Sequence, residues 1–538
     1  MSPDYPLLGP LSETEIERWY RLLNARLIYL YRERLQSWHD PRTVVVVPSL
    51  SLDQEVLSKI PGVHYYEERL LYYLILLQHP QTQVIFVTSQ AVDPVIVDYM
   101  LNLLPGVPVS HARRRLVLLD AHDSTRRSLT EKILERPWLI RRIREAVAYP
   151  DTAYMECFNS TPLERELAVR LGIPLYALDP SLEYLGSKSF SREIFREANV
   201  PLPEGFEHLR DEHDVAQALA DLKLQVPTLR RAVVKLNYAF SGEGNALFSY
   251  DGAPQEPKAL AQWVAEVLPQ RLHFEAEDMT YEEYMNKFRE MGGIVEAFIE
   301  GKGKRSPSVQ GLINPLRQGT IVSTHDQILG GPTGQVYLGA RFPADPAYRL
   351  DLHELGRRVG EVLTAKGAMG RYAVDFVSVP QPDGTWQHYA LEINLRKGGT
   401  THPFMTLKFL TDGYYDLKTG EYISATGQPL YYYATDNLKK PEYQGLTPED
   451  LMEIVVCEGL HFNAAAHEGV LFHLIDALSE YGKVGLVAIG PSYERAEALY
   501  HEAEAALDRY ARNPRLCETK ALEDDKPALT HFPPLWEG

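Results

Sequence analysis

Cysteine, long apolar runs and basic residues are all scarce in this 538-residue sequence. Its three cysteines, Cys157, Cys457 and Cys517, stand far apart, so we expect neither a disulfide framework nor a cysteine-based metal site. No apolar run reaches the roughly 18 residues of a membrane-spanning helix. The first residues lack the basic and apolar segments of a secretory signal. Together these absences favour a protein of the reducing cytoplasm, with no membrane partner.

Positive charge is also in deficit. The chain has 55 Lys and Arg against 73 Asp and Glu, and a formal net charge of −18. A surface of this kind disfavours non-specific binding to nucleic acid, whose phosphates need a basic partner. A pocket for a free nucleotide needs only a few cations, so the charge balance leaves that possibility open.

The distribution of apolar residues predicts two kinds of sheet. Short β-branched runs alternate with helical patterns over residues 40–180, which indicates a parallel α/β sheet. From about residue 185 the strands are longer and joined by glycine-rich turns, which indicates α+β structure with antiparallel sheet. Residues 469–508 have the pattern of helix, strand and helix, and the proline-containing tail after Arg515 is expected to be irregular. The parallel strands are predicted at 44–47, 84–87, 116–119, 154–158 and 175–178.

The strongest chemical signal is a pair of acidic strands. Asp375 lies in one predicted strand, and Glu392 and Asn394 lie in the next, one hairpin later. Residues two apart on a strand point the same way, so the three side chains can share a face. Two carboxylates and an amide oxygen are hard ligands that suit Mg²⁺. A hairpin that turns a polar face to water explains the same pattern about as well.

Two further segments have residues suited to phosphate or to a base. Lys235 ends a predicted strand and precedes a glycine loop with Ser241, Gly242 and Gly244, whose backbone N–H groups can cradle phosphate. A plain hairpin loop explains this segment equally well. The strand that contains Glu296 is compatible either with an adenine pocket or with an ordinary edge strand. Neither a P-loop motif nor a GxGxxG motif is present.

In their order along the chain, these motifs resemble the ATP-grasp superfamily of ligases. Residues 186–203, which begin with Gly-Ser-Lys188, look like the lysine-bearing helix and strand entry of that superfamily. Residues 324–343 and 392–404 resemble a subgroup with a pre-ATP-grasp N-terminal domain. Residues 469–490 resemble the terminal domain of the peptide ligase of pheganomycin biosynthesis. The resemblance implies a Rossmann-like domain over residues 1–183, an ATP-grasp domain over 184–410 and a small C-terminal α/β domain over 411–538.

The resemblance also implies a role for each matching residue. Two arginines, Arg371 and Arg396, are candidates to stabilise charge in the transition state. Many members of the superfamily have an arginine two residues before the metal aspartate, where this chain has Ala373, so the role of Arg371 is less firmly implied. The implied ATP ligands are Lys188, Lys235, Ser241, Gly242, Gly244, Glu296, Phe298 and Glu300, and the implied metal ligands are Asp375, Glu392 and Asn394.

The implied activity is ATP-dependent formation of an amide bond between a carboxylic acid and an amine, through an acyl phosphate. Its cofactors are ATP and Mg²⁺, with Mn²⁺ as a possible substitute, and its partners are a small acid and an amino acid or peptide. A homodimer is compatible with the sequence. Two alternatives remain open: an ATP-grasp enzyme with a thiol or other acceptor, and a nucleotide-binding module without catalysis.

Overall fold

A computed structural model describes residues 9–35, 40–239, 244–276, 279–330 and 336–513. Its N-terminal part is a parallel sheet flanked by helices, as the alternation of strands and helices predicts. The helices of this part are α1 (Glu13–Glu33), α2 (Gln54–Lys59), α3 (Pro94–Asn102), α4 (Val109–Arg113), α5 (Leu129–Leu134), α6 (Pro137–Ala146) and α7 (Pro162–Leu171). Its strands are β1 (Arg42–Val47), β2 (Thr82–Thr88), β3 (Leu116–Asp120) and β4 (Tyr154–Cys157), and its 3-10 helices are Val63–Gln78, Pro150–Thr152 and Pro180–Gly186.

The four parallel strands lie in the order β3-β2-β1-β4. The fifth strand predicted at 175–178 is wrong, since Leu175 forms only an isolated bridge with Met155. The side chain of Asp179 accepts a hydrogen bond from the backbone N–H of Ser181 and caps the 3-10 helix Pro180–Gly186. This cap turns the chain away from the sheet before a strand can extend.

Two antiparallel sheets follow, as the second half of the sequence predicts. The strands here are β5 (Gly205–Leu209), β6 (Arg231–Leu236), β7 (Asn245–Ser249), β8 (Leu272–Phe274), β9 (Gly293–Ala297), β10 (Pro307–Ile313), β11 (Gly319–Gly330), β12 (Val336–Phe342), β13 (Gly370–Pro380), β14 (Trp386–Asn394), β15 (Tyr414–Asp416), β16 (Glu421–Ile423), β17 (Pro429–Lys439), β18 (Gly469–His473) and β19 (Lys483–Gly490). The helices are α8 (Lys188–Glu197), α9 (Glu212–Gln225), α10 (Pro257–Arg271), α11 (Tyr281–Met291), α12 (Arg349–Ala365), α13 (Thr401–Thr411), α14 (Pro448–Cys457), α15 (Asp476–Tyr481) and α16 (Tyr493–Arg512), with a 3-10 turn at Pro441–Tyr443.

The smaller antiparallel sheet has the order β5-β9-β6-β7-β8. The larger sheet runs β14-β13-β10-β11-β12-β17-β16-β15, and β17 also pairs with β19, which in turn pairs with β18. Because β12 is hydrogen-bonded to β17, the larger sheet continues across the predicted boundary at residue 410. The three-domain division therefore stays a prediction.

The C-terminal segment begins differently from the prediction. Residues Gly469–His473 form a strand, β18, where a helix was expected. All five residues of β18 are buried, so the segment shows a continuous apolar run without the alternation that identifies a half-buried strand. The later strand and helix, β19 and α16, agree with the prediction.

The cysteines differ from one another. Cys157 is free and buried, and burial raises its pKa. Cys457 is disulfide-bonded, contrary to the expectation from the sparse spacing.

The predicted irregular tail after Arg515 lies outside the described residues. Within the described ranges, no helix combines the length and apolar character needed to span a membrane.

Candidate active site

Three oxygen-bearing side chains meet on the hairpin of β13 and β14. Asp375 lies opposite Glu392 in the antiparallel register, and Asn394 lies two residues beyond Glu392 on the same face. The Asn394 side-chain nitrogen is 3.1 Å from Asp375 Oδ2 and 3.2 Å from Glu392 Oε1. The side chains therefore converge, as the strand alternation predicts. The amide nitrogen and oxygen of Asn394 could exchange places by a simple rotation, which would turn its oxygen to a cation.

The two carboxyl groups have different electrostatic surroundings. Burial and then the negative charge of Glu392 raise the pKa of Asp375 to about 7. Burial acts in the same direction on Glu392, but the positive charges of Lys188 and Lys235 outweigh it and lower its pKa to about 2. Gln327, on β11, donates a hydrogen bond of 2.7 Å to Asp375 Oδ1. Two adjacent carboxyl groups of which one resists ionisation make a site that a divalent cation would stabilise.

Two lysines face this carboxyl pair from neighbouring elements. Lys188 is the first residue of α8, whose start is capped by the hydroxyl of Ser187, and its ammonium group forms an ion pair with Glu392. Lys235 lies on β6, with Nζ 2.6 Å from Glu296 Oε1 on β9. The other oxygen of Glu296 is 3.0 Å from Arg192 Nη1. The buried carboxylate of Glu296 thus holds Lys235 in place between two strands.

A single cavity of about 490 Å³ unites these groups. Its walls come from both antiparallel sheets and from the N-terminal part of the chain. Among the residues predicted for the site, the cavity is lined by Lys188, Lys235, Glu296, Phe298, Asp375, Glu392, Asn394 and Arg396. A cleft of this volume is in the range of nucleotide and cofactor pockets.

Phe298 and its neighbour Ala297 line the cavity with their backbone already engaged. The Ala297 N–H donates to the carbonyl of Glu204 at 2.8 Å, and the Phe298 N–H donates to the carbonyl of Arg231 at 3.1 Å. A base that binds at this wall would therefore find neither N–H group free. The Phe298 ring lies 4.3 Å from Lys304 Nζ, so a cation covers one face of the ring.

Other predicted residues lie away from the cavity wall. The guanidinium of Arg371 donates to Met405 Sδ, and Arg371 is not among the residues that line the cavity. The carboxylate of Glu300 accepts hydrogen bonds from Nε and Nη2 of Arg231, at 2.9 and 2.7 Å, outside the cavity. Gly244 immediately precedes β7, and its carbonyl accepts a hydrogen bond from the Leu236 N–H. Ser241 and Gly242 fall outside the described residues.

The cavity also contains residues that the sequence did not single out. Gln327 lies in the 324–343 segment, and the resemblance of that segment to the pre-ATP-grasp subgroup is the one signal near it. Lys304 follows the Glu296 strand at a glycine turn. Tyr337 and Lys483 lie in the 324–343 and 469–490 segments, but nothing in those segments indicated that either residue faces a cavity. Other lining residues come from distant parts of the chain and gave no local signal, among them Tyr66, Arg69, Phe158, Asp436 and Asn437.

Comparisons with known proteins give the family. The model described as "IQCH-like, ATP-grasp" matches residues 180–251 and 254–418, and the model "PGM1 C-terminal domain" matches residues 450–503. L-propargylglycine--L-glutamate ligase of Streptantibioticus cattleyicolor is 33% identical over 485 residues, which cover 88% of this chain and 96% of that protein. IQ motif-containing protein H of Danio rerio is 22% identical, covering 85% of this chain and 47% of that protein.

Solved structures agree on the fold. The biotin carboxylase domain of 2-oxoglutarate carboxylase from Hydrogenobacter thermophilus, in complex with MgADP, ADP and bicarbonate, has a TM-score of 0.50 at 13% identity and covers 90% of this chain and 97% of that one. Biotin carboxylase from Campylobacter jejuni, with a β,γ-ATP ligand, has a TM-score of 0.50 at 14% identity and covers 89% and 96%. The relative at 33% identity and the matching ATP-grasp model lead to one conclusion: the chain belongs to the ATP-grasp family of ligases.

Proposed function

We propose that this chain uses ATP to join the carboxyl group of one small molecule to the amine of another, with an acyl phosphate as intermediate. The single observation that carries the proposal is the convergence of Asp375, Glu392 and Asn394 beside two lysines in one cavity of an ATP-grasp ligase. A carboxylate is a poor electrophile, and phosphorylation by ATP makes it reactive toward an amine.

The donor set on β13 and β14 fits Mg²⁺. Asp375 and Glu392 supply two carboxylates, and Asn394 supplies an amide oxygen after rotation of its side chain. The raised pKa of Asp375 comes from burial and from Glu392, and a cation between them would offset both causes. Bound there, Mg²⁺ would neutralise charge on the phosphates of the nucleotide.

The lysines are suited to bind phosphate oxygens. In this structure the ammonium of Lys188 lies against Glu392, and that of Lys235 lies against Glu296. Lys188 stands at the N-terminus of α8, where the helix dipole adds to its positive charge. Arg396, on the same cavity wall, is suited to neutralise charge that develops on the reacting carboxyl or phosphoryl group.

We propose amino acids as the substrates. The relative from Streptantibioticus cattleyicolor is named for two amino acids, L-propargylglycine and L-glutamate, and it aligns with nearly its whole length. The positive side chains of the cavity, including Arg69, Arg396 and Lys483, suit molecules that retain a free carboxylate.

The test is mass spectrometry of products formed from an array of amino acids and dipeptides with ATP and Mg²⁺. We expect an amide product, one equivalent of ADP and one of phosphate for each bond formed. One matched array with thiols in place of the amines, and another with bicarbonate in place of the acids, cover the other chemistries of ATP-grasp enzymes. Product only in the thiol or bicarbonate array, or ATP binding without ADP in any array, would refute amide ligation.

A further inference from the structure

One arginine of the cavity has donors without partners. Arg69 lies in the 3-10 helix Val63–Gln78 of the N-terminal part and is only 5% exposed. Its Nη1 is 3.2 Å from Asp436 Oδ2 on β17. Among the residues that the structure describes, its Nε and Nη2 have no hydrogen-bond partner. Buried donors without hydrogen-bond partners cost free energy of folding, and this cost indicates that the guanidinium is a ligand-binding group.

The protein fixes this guanidinium on several sides. Its central carbon lies 4.6 Å from the ring centre of Tyr66 and 5.1 Å from that of Phe158. His402 Nδ1 donates to the backbone carbonyl of Arg69 at 2.8 Å. Two rings, a carboxylate and a backbone hydrogen bond therefore hold Arg69 in one orientation at the cavity wall. Such pre-organisation lowers the entropy lost when a ligand binds.

The surroundings favour an anion that is small and planar. Lys483 and Arg396 line the same cavity, and within the described ranges Asp436 is the acidic residue that forms an ion pair with Arg69. Phe158 lies 5.9 Å from the guanidinium of Arg396 as well, so the ring connects Arg69 to the side of the cavity near Glu392 and Asp375. A guanidinium fork with two free donors matches a carboxylate bidentately.

We propose that Arg69 binds the non-reacting carboxylate of an amino acid substrate, so that a residue of the N-terminal part sets the substrate specificity of the ATP-grasp site. The inference rests on the proposed function and deepens it. The carboxylate belongs either to the amine substrate or to a dicarboxylic acid whose other carboxyl reacts. Asp436 acts as a positioning residue that holds one edge of the guanidinium.

Calorimetric titration of the full-length protein, with Mg²⁺ and a non-hydrolysable ATP analogue present, tests the inference. The probes are L-glutamate with its α-monoamide and γ-monoamide, and L-propargylglycine with its amide. We expect the wild type to bind one free acid at least about 10-fold more tightly than the amide that blocks the recognised carboxylate. Discrimination against the glutamate amides assigns the carboxylate to the acid substrate, and discrimination against propargylglycine amide assigns it to the amine substrate.

Two variants then test whether the planar guanidinium or only its positive charge is required. Arg69→Lys removes the guanidinium and keeps the charge, and Arg69→Met removes both. Both should reduce the preference for the free acid to within about 2-fold, with affinity for the ATP analogue unchanged. Arg349→Lys is the matched control, because Arg349, like Arg69, is buried and paired with a carboxylate (Glu421) but does not line the cavity. Thermal unfolding identifies a variant that fails to fold, and Arg69→Lys keeps the positive charge that Asp436 needs.

Three results would overturn the inference: no discrimination by the wild type, full discrimination retained by both Arg69 variants, or a loss of ATP-analogue affinity equal to the loss of acid affinity. The last result would assign Arg69 to the nucleotide. Failure of the proposed function has a different outcome. Carboxylate discrimination that depends on Arg69, together with no ADP formed from any acid and amine, would refute ligation and leave carboxylate binding at Arg69 intact.

Discussion

Asp375 and Glu392 share one small volume, and only Glu392 has a lysine against it. Burial and the neighbouring charge raise the pKa of Asp375, so the folded protein holds a carboxyl group whose ionisation is unfavourable. Such an arrangement costs stability, and proteins commonly retain groups of this kind at functional sites. At the scale of single residues, the site therefore differs from a hairpin with a water-facing polar side.

Replacement of Asp375 by asparagine tests this difference. We expect Asp375→Asn to lower the rate of ADP formation at least about 100-fold, because the amide lacks the negative charge with which the carboxylate attracts a divalent cation, and less cation is then held to neutralise the phosphates. The melting temperature should stay equal or rise, because the repulsion with Glu392 is gone. Asp383→Asn, in the exposed turn of the same hairpin, is the control and should leave both quantities unchanged. Activity close to wild type in Asp375→Asn would remove this residue from the site.

His325 illustrates a second residue-scale effect, which concerns pH. Its ring is fully buried between Phe342 and Tyr432, and burial lowers its pKa to about 3. In the unfolded chain a histidine titrates near pH 6.5, so below that pH the unfolded state binds a proton that the folded state does not. Stability from this group is therefore complete above about pH 6.5 and is lost as the pH falls toward 3.

The substitution His325→Gln removes the side chain that takes up this proton on unfolding. The variant should be less stable than the wild type near neutral pH, and the difference in unfolding free energy should narrow by up to about 1.4 kcal/mol per pH unit below about pH 6.5. Urea unfolding monitored at several pH values measures it. His273→Gln, at an exposed position, controls for the loss of one histidine. A difference that stays constant or widens with falling pH would show that His325 is protonated in the folded protein.

At the scale of elements, one close approach joins the two parts of the larger sheet. β12 and β17 pair across the predicted boundary at residue 410, with Gly339 opposite Thr435. A Cβ atom on Gly339 would lie 2.2 Å from the backbone carbonyl oxygen of Ala434. Only glycine permits this approach, because any side chain there would push the two strands apart.

Gly339→Ala should therefore destabilise the protein by about 1–3 kcal/mol through overpacking. Gly319→Ala, on β11 of the same sheet, is the matched control, since its Cβ would lie 3.5 Å from the nearest atom, an ordinary contact. We expect thermal unfolding to show a lower melting temperature for the Gly339 variant alone. Equal melting temperatures for the two variants would mean that the junction of β12 and β17 adjusts without cost.

At the scale of the whole molecule, a buried ion pair fastens the parallel sheet to the site. Lys397, just after β14, has Nζ 3.0 Å from Glu156 Oε2 on β4, and it also donates to the carbonyl of Cys157. Tyr73 donates to the same Glu156 oxygen at 2.6 Å. Burial alone would lower the pKa of Lys397, but the negative charge of Glu156 outweighs it and raises that pKa.

A double-mutant cycle measures the interaction free energy between Lys397 and Glu156. Glu156→Gln leaves Lys397 buried without its counter-charge and should cost about 3–5 kcal/mol, and Lys397→Met should be costly for the converse reason. The double variant should cost clearly less than the sum of the two, since neither charge remains unpaired. Glu354→Gln, which breaks exposed pairs with Arg357 and Arg358, is the control and should cost less than about 1 kcal/mol. Additive costs would show that the two charges act independently.

Local patterns in the sequence determined the features that short segments encode. Helices α1 and α7 begin with capping boxes at Ser12 and Thr161, which a short segment can encode because such a cap depends only on residues three positions apart. The parallel and antiparallel halves are confirmed for the same kind of reason. The meeting of Asp375, Glu392 and Asn394 followed from one hairpin and from the period of two along a strand. Strand β18 escaped prediction because burial on both faces removes that period.

Only the tertiary structure decided which distant segments complete the cavity. Arg69 comes from a 3-10 helix in the N-terminal part and Asp436 from β17, and neither has a local pattern that marks it. Lys483, at the start of β19, lies in the 469–490 segment, but no pattern there indicated that it faces the cavity. The same is true of Arg192, whose role is fixed by Glu296 about a hundred residues later. Spacing along the chain reports neighbours within one helix or hairpin, whereas contacts across sheets depend on how those elements pack.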